Sequence, residues 1–103
     1  SVMAYDVVWS FSAERDRDRI VEYLLYDLAS PQAASHVLDE LDKMIVILSD
    51  NPKLFALSAE SRLARMGYRK YLFMRYVVLY RVEDRTVKVG RIFHTAQNYA
   101  RLV

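Results

Sequence analysis

No cysteine occurs anywhere in the 103 residues, so neither a disulfide framework nor a thiolate metal site is open to this chain, and a reducing cytoplasm suits it. Glycine and proline occur twice each, which leaves little material for long flexible linkers or disorder. No uninterrupted apolar run approaches the roughly 20 residues that a membrane span requires. The opening SVMAYDVVWSF lacks a basic n-region and carries Asp6, so it does not read as a signal peptide. What is present is ordinary globular composition, 53% apolar and 27% charged, in a length suited to one core: a single domain over residues 1–103.

The net charge of +2 conceals a strong asymmetry. Residues 1–61 hold five Lys/Arg against eleven Asp/Glu, a balance of −6, whereas residues 62–103 hold ten against two, a balance of +8. A small domain polarised in this way presents a basic face to an anionic partner, either nucleic acid or an acidic protein.

Patterning places the elements. Met3–Trp9 (MAYDVVW) is rich in strand-forming residues and reads as a first strand, with Trp9 in the core. Ser10 or Ser12 can cap a helix from Ala13 to Ala29, along which Ile20, Val21, Leu24, Leu25 and Leu28 recur at helical spacing. In SPQAA, Ser30 is a second cap and Pro31 occupies a first helical position. The helix that follows reaches about Ser49, with Ala34, Val37, Leu38, Leu41, Met44, Ile45 and Leu48 on one face. So short a connection makes the two helices an antiparallel hairpin. After DNP, a short helix is expected around Ala59–Arg65. Three closely spaced strands follow, in GYRKYLF, RYVVLYRV and TVKVGRIFH, with a tight turn at EDR. Tyr76, Val78, Tyr80 and Val82 share one face, Val77, Leu79 and Arg81 the other. Val87 and Val89 keep phase in the last strand but Ile92 does not, so Gly90 marks a bulge. The order is β-α-α-β-β-β: an α+β domain, with the helical hairpin packed on a mainly antiparallel sheet of three to four strands.

This order, with the SPQAA start to the second helix, GYRK, RYVVLYRV and the ending RIFH…QNY, resembles the RelE/ParE superfamily of toxins from bacterial type II toxin–antitoxin pairs over almost the whole chain. The resemblance implies a small cytoplasmic toxin that arrests growth and is neutralised in a hetero-oligomer by a cognate antitoxin. An acidic, partly helical antitoxin segment would suit the basic half. In the RelE branch the toxin cleaves mRNA on the ribosome; in the ParE branch it poisons DNA gyrase. The crowding of basic residues favours ribosome-dependent mRNA cleavage. The alternatives are a ParE-like gyrase inhibitor without nuclease activity and a degenerate member that still binds antitoxin.

RNA cleavage without a metal or other cofactor needs a base for the 2′-OH, cations for the phosphorane and an acid for the leaving oxygen. The candidate catalytic residues are His94, Arg91, Arg69 and Tyr99. Arginine can hold two phosphate oxygens in its planar fork, and His94 is the basic half's one group that ordinarily titrates near neutrality. Lys70, Arg75, Arg81 and Arg101 are candidates for contact with RNA or another target. Two departures from the nuclease pattern stand out. Val77 occupies the position, three before Tyr80, where ribosome-dependent relatives commonly carry arginine, and the preceding strand offers Arg69 and Tyr71 where two basic residues are usual. Each candidate also has a structural role open to it: Arg91 can pair with a helix carboxylate such as Glu22 or Asp42, and His94 can serve as a hydrogen-bonded strand end. No arrangement suggests a metal site, a phosphate-cradling glycine loop or a nucleophilic triad.

Overall fold

In the computed structural model, which describes residues 5–103, strand β1 (Asp6–Trp9) leads into helix α1 (Phe11–Glu22). The Met3–Ala4 part of the expected first strand lies outside the described residues. Ser10 is the cap: its Oγ accepts the Ala13 N–H at 3.0 Å and donates to the Gly90 carbonyl at 2.7 Å. The helix does not run on as α to Ala29. It widens into a π turn over Tyr23–Asp27, where the Leu28 N–H reaches back to the Tyr23 carbonyl at 3.1 Å. That extra residue carries Leu28 off the apolar stripe, leaving it 54% exposed. Ala29 then turns left-handed (φ 49°) and ends the helix.

Helix α2 spans Pro31–Asp50, with the Ser30 hydroxyl accepting the Ala33 N–H at 3.2 Å. Its buried stripe is Ala34, Val37, Leu41, Met44 and Leu48; Leu38 turns outward. Helix α3 is a single turn, Ser61–Arg65, capped by the Glu60 carboxylate on the Arg62 and Leu63 N–H groups. Strands β2 (Arg69–Phe73), β3 (Tyr76–Glu83) and β4 (Thr86–His94) follow, and a 3₁₀ turn at Tyr99–Arg101 closes the chain.

The sheet has four strands in the order β1-β4-β3-β2. β2, β3 and β4 are antiparallel, whereas β1 lies parallel to β4, made possible by the helical crossover between them. Leu79 pairs with Arg91 and Tyr80 with Val89, so Gly90 is the unpaired bulge residue. The bulge explains why Ile92 packs in the same cluster as Val87 and Val89 despite the break in alternation.

One face of the sheet is covered by the helices and the other only in part. The helical hairpin buries Val78, Tyr80, Val87, Val89 and Ile92 together with the α2 stripe in the main core. Each such fully buried aliphatic side chain contributes about 1.5–3 kcal/mol. Trp9 is partly buried against this cluster, with the Arg17 guanidinium 5.4 Å from its ring. On the opposite face Leu63, Val77, Leu79 and Phe93 form a second, smaller cluster, roofed by Tyr68, Tyr99, Ala100 and Val103. No helix among the described residues is long and apolar enough to cross a membrane.

Candidate functional site

β1 is shorter than β4 and stops opposite Val89, leaving the rest of that β4 edge without a strand partner. The start of α1 takes over. The Ser10 N–H donates to the Val89 carbonyl at 2.9 Å, and Asp16 Oδ2 accepts the Ile92 N–H at 2.9 Å. Asp16 is buried, and a buried carboxylate needs a cation as well as hydrogen bonds. Arg91 supplies it: Nε donates to Oδ2 at 2.8 Å and Nη2 to Oδ1 at 3.2 Å, a bidentate pair. The guanidinium also lies 4.5 Å from the centroid of the Phe93 ring and reaches the Leu102 carbonyl at 3.4 Å. Arg91 therefore has a helix carboxylate, as the sequence suggests, but it is Asp16 rather than Glu22 or Asp42. The turn of α1 that meets the open edge of β4 decides which acid is in reach.

His94 ends β4. Its Nδ1 accepts the Ala96 N–H at 3.0 Å, its own backbone N–H donates to Gln97 Oε1 at 2.9 Å, and its ring meets Tyr76 edge-on at 5.6 Å. An accepting Nδ1 fixes the neutral ring as the Nε2–H tautomer, so the outward nitrogen is a donor. His94 and Arg91 line one cleft of about 770 Å³ between α1 and the end of the sheet, together with Arg19, Tyr23 and Tyr76. Burial, with a smaller contribution from neighbouring Tyr23, pushes the Tyr76 hydroxyl above its ordinary pKa, so it stays protonated.

The other candidates are dispersed. Tyr99 stacks on Phe93, with centroids 5.9 Å apart and ring planes 16° from parallel. Arg69 pairs across the ladder with Tyr80 and so faces the helical side of the sheet, where Nη1 donates to the Phe55 carbonyl at 2.7 Å. It does not join His94. Lys70 faces the opposite side with Leu79, Arg75 is exposed in the β2–β3 turn, and Arg101 is exposed in the terminal 3₁₀ turn. Arg81 lies 5.1 Å over the Tyr68 ring and 3.7 Å from Glu83. Val77 is fully buried in the second cluster and offers nothing to a phosphate. Of the four catalytic candidates, the cleft gathers His94 and Arg91, Tyr99 touches Arg91's aromatic seat, and Arg69 is remote.

With this geometry in place, a sequence model of the family described as ParE toxin of type II toxin-antitoxin system, parDE, matches residues 7–99. The chain belongs to the ParE toxin family. The toxin's fold agrees: it superposes on a chain of the chromosomal ParDE system from P. aeruginosa with a TM-score of 0.70 at 18% identity, covering 90% of this chain and 98% of that one. It also superposes on a chain of the toxin–antitoxin complex RelBE2 from Mycobacterium tuberculosis with a TM-score of 0.64 at 22% identity, covering 94% and 98%. At such identities the likeness is one of fold. No curated protein matches the toxin's sequence.

Asp16, Arg19 and Tyr23 are the cleft residues that sequence reasoning does not single out. A signal for Asp16 exists: it stands three residues after Ala13 and four before Ile20, so a carboxylate interrupts the apolar stripe of α1. A charge at a core-facing position calls for a buried partner. Arg19 and Tyr23 carry no such signal, since an arginine and a tyrosine on an amphipathic helix are ordinary surface residues.

Proposed function

We propose that this toxin arrests growth by binding DNA gyrase, the target associated with its branch of the superfamily, and performs no RNA cleavage of its own. The observation that carries this reading is the Arg91–Asp16 pair. Arg91, the candidate catalytic cation that lines the cleft with His94, is held bidentately by a buried carboxylate, which opposes any shift of its charge to a phosphorane. Three further features support it. Val77 is buried, Arg69 sits at the opposite end of β2 from the Phe73–Tyr76–His94 row and is bound to the Phe55 carbonyl, and His94 presents an N–H where a general base needs a lone pair. Binding requires none of these groups to be chemically active.

One observation favours the competing reading of ribosome-dependent mRNA cleavage: His94, Arg91 and the protonated Tyr76 line the same cleft. Inducing the toxin and following gyrase-linked DNA breaks and mRNA cleavage on ribosomes in parallel separates the two. Breaks without cleavage are expected. His94→Asn, whose amide oxygen can still accept the Ala96 N–H, should arrest growth as the parent does. Ribosome-dependent cleavage that disappears in His94→Asn would sink the proposal. The toxin acts in the cytoplasm on this reading, and its antitoxin covers the basic half with an acidic, partly helical segment. Co-expressed toxin and antitoxin should elute as one hetero-oligomer in size exclusion.

A further inference from the structure

At the far end of the sheet from His94, on the face opposite the helical hairpin, a second cleft of about 390 Å³ opens beside the Gly90 bulge. Its walls carry Arg81, Lys88, Tyr68 and Ser12. Arg81 and Lys88 are direct cross-strand partners in the β3–β4 ladder. Like charges placed opposite each other on adjacent strands destabilise a sheet. Glu83 offsets one of them: Lys88 Nζ lies 2.9 Å from one carboxylate oxygen and Arg81 Nη2 3.7 Å from the other, which leaves a surplus positive charge on the pair. The Arg81 guanidinium also lies over the Tyr68 ring, 5.1 Å from its centroid, and a guanidinium on an aromatic face keeps N–H donors at its edge for a ligand. The bulge residue has no side chain, and a Cβ there would meet Tyr68 at 3.4 Å, so glycine keeps the floor clear.

Lys70 extends this charge. It pairs with Leu79 and therefore faces the same side from β2. Lys70, Arg81 and Lys88 thus form a slanted row across three adjacent strands, Lys70 set two residues along from the Arg81–Lys88 pair, about 12 Å from first to last at the usual strand spacing and rise. A single carboxylate would use one fork. A row of separated cations matches a polymer that repeats its negative charge every few ångströms. Meanwhile Asp39, Glu40 and Asp42 sit on α2, across the sheet, so a polyanion's field would turn the basic face toward it.

We infer that the cleft at Gly90 seats the phosphodiester backbone of a nucleic acid, with Arg81 and Lys88 on the phosphate oxygens, Ser12 as a hydroxyl donor and Lys70 on a neighbouring phosphate. This contact is separate from the gyrase reading and stands or falls without it.

The test is fluorescence anisotropy of the full chain with a labelled short duplex DNA, a labelled single-stranded RNA of the same sequence and a labelled poly-glutamate peptide, across a salt series. Tighter binding to DNA or to RNA names the source of the phosphodiester; tighter binding to the peptide overturns the proposal. Arg81→Gln with Lys88→Gln should weaken nucleic-acid binding about tenfold or more and make the slope of log Kd against log salt shallower by about 1–2. Lys43→Gln, on the exposed side of α2, should leave the affinity within about twofold of the parent, as expected for a charge outside the interface. A double variant that binds like the parent, or a Lys43→Gln loss of the same size, overturns it. Ser12→Asp provides an arm that does not depend on the Glu83 pairs. Negative charge in the first turn of α1 favours the helix, so the fold is kept while a carboxylate enters the cleft. A several-fold weaker affinity at unchanged melting temperature is expected, and an unchanged affinity counts against the seat.

Discussion

Asp16 holds Arg91 through two hydrogen bonds and takes the Ile92 N–H with the same oxygen that meets Arg91 Nε. One carboxylate thereby does two tasks. It terminates the open edge of β4 where β1 has run out, and it ties α1 to the strand that ends in His94. The arginine that sequence reasoning places in a catalytic set is thus also part of how the sheet edge is finished.

Removing the carboxylate should expose both tasks. Asp16→Ala leaves a guanidinium and a strand N–H without their partner and should cost about 3 kcal/mol of unfolding free energy in urea titrations. Asp16→Asn keeps an acceptor for Ile92 and should cost less. Arg91→Met combined with Asp16→Ala should recover part of the loss, because the uncompensated charge is gone. Additive single losses would show that the pair is not coupled.

Tyr80 gives a prediction in pH. Its hydroxyl is buried and donates to the Pro52 carbonyl at 2.6 Å, and burial pushes its pKa from 10.0 to about 12, with nearby Arg69 working slightly against this. The fold therefore favours the protonated phenol, and the unfolded chain loses its proton first. The contribution is complete below pH 10 and is lost as pH rises from 10 to 12, amounting to about 3 kcal/mol by linkage. Tyr80→Phe should start about 1–2 kcal/mol lower at neutral pH, with the Pro52 carbonyl unsatisfied, and then fall less steeply in alkali. Tyr71 and Tyr76, also raised mainly by burial, account for a residual slope. Equal alkaline slopes in parent and variant would contradict the assignment to Tyr80.

Much of this architecture is legible in the sequence because period-2 alternation is a local property. The split of Val78 and Tyr80 from Val77 and Leu79 onto two faces follows from it directly, and the phase break at Ile92 is enough to locate the bulge at Gly90. Caps are local too, so Ser10, Ser30 and Pro31 fall where side-chain chemistry puts them. What is not legible depends on distance in the chain. Nothing in DVVW distinguishes a strand parallel to β4 from an antiparallel one. The π turn at Tyr23–Asp27 shifts the stripe by a single residue, too little for apolar spacing to reveal, yet it expels Leu28. Whether Arg91 meets Asp16, Glu22 or Asp42 depends on how α1 crosses the sheet edge, and no spacing rule contains that. The same limit applies to Arg69: its basic character is evident, but its direction, toward Phe55 and the helices, is set by the register of β2 on β3.

The second cluster predicts a link between α3 and the tail. Leu63 is fully buried beneath Tyr99 and Ala100, and Arg62 donates to the Ala100 carbonyl. Leu63→Ala should cost about 3 kcal/mol and loosen the segment that it supports. Trypsin should then cut after Arg101 faster than in the parent, while the Lys43 site in α2 keeps its rate until global unfolding. Uniform acceleration at all sites would mean that the cluster is not a separate unit.

Tyr99 separates packing from chemistry. Its ring stacks on Phe93, the same ring that carries the Arg91 guanidinium, so it supports the paired arginine through an aromatic seat. Tyr99→Phe keeps that stack and removes the hydroxyl, whereas Tyr99→Ala removes both. A toxin that acts by binding needs the surface and not the proton, so Tyr99→Phe should arrest growth as the parent does. Tyr99→Ala should lose about 1 kcal/mol of stability with the aromatic pair and be weaker in arrest. A nuclease that uses the phenol as its acid gives the opposite pattern: Tyr99→Phe would lose activity about 100-fold or more with its melting temperature unchanged. Growth curves after induction, read beside thermal melts of the two variants, distinguish these outcomes, because only the chemical role makes the hydroxyl alone decisive.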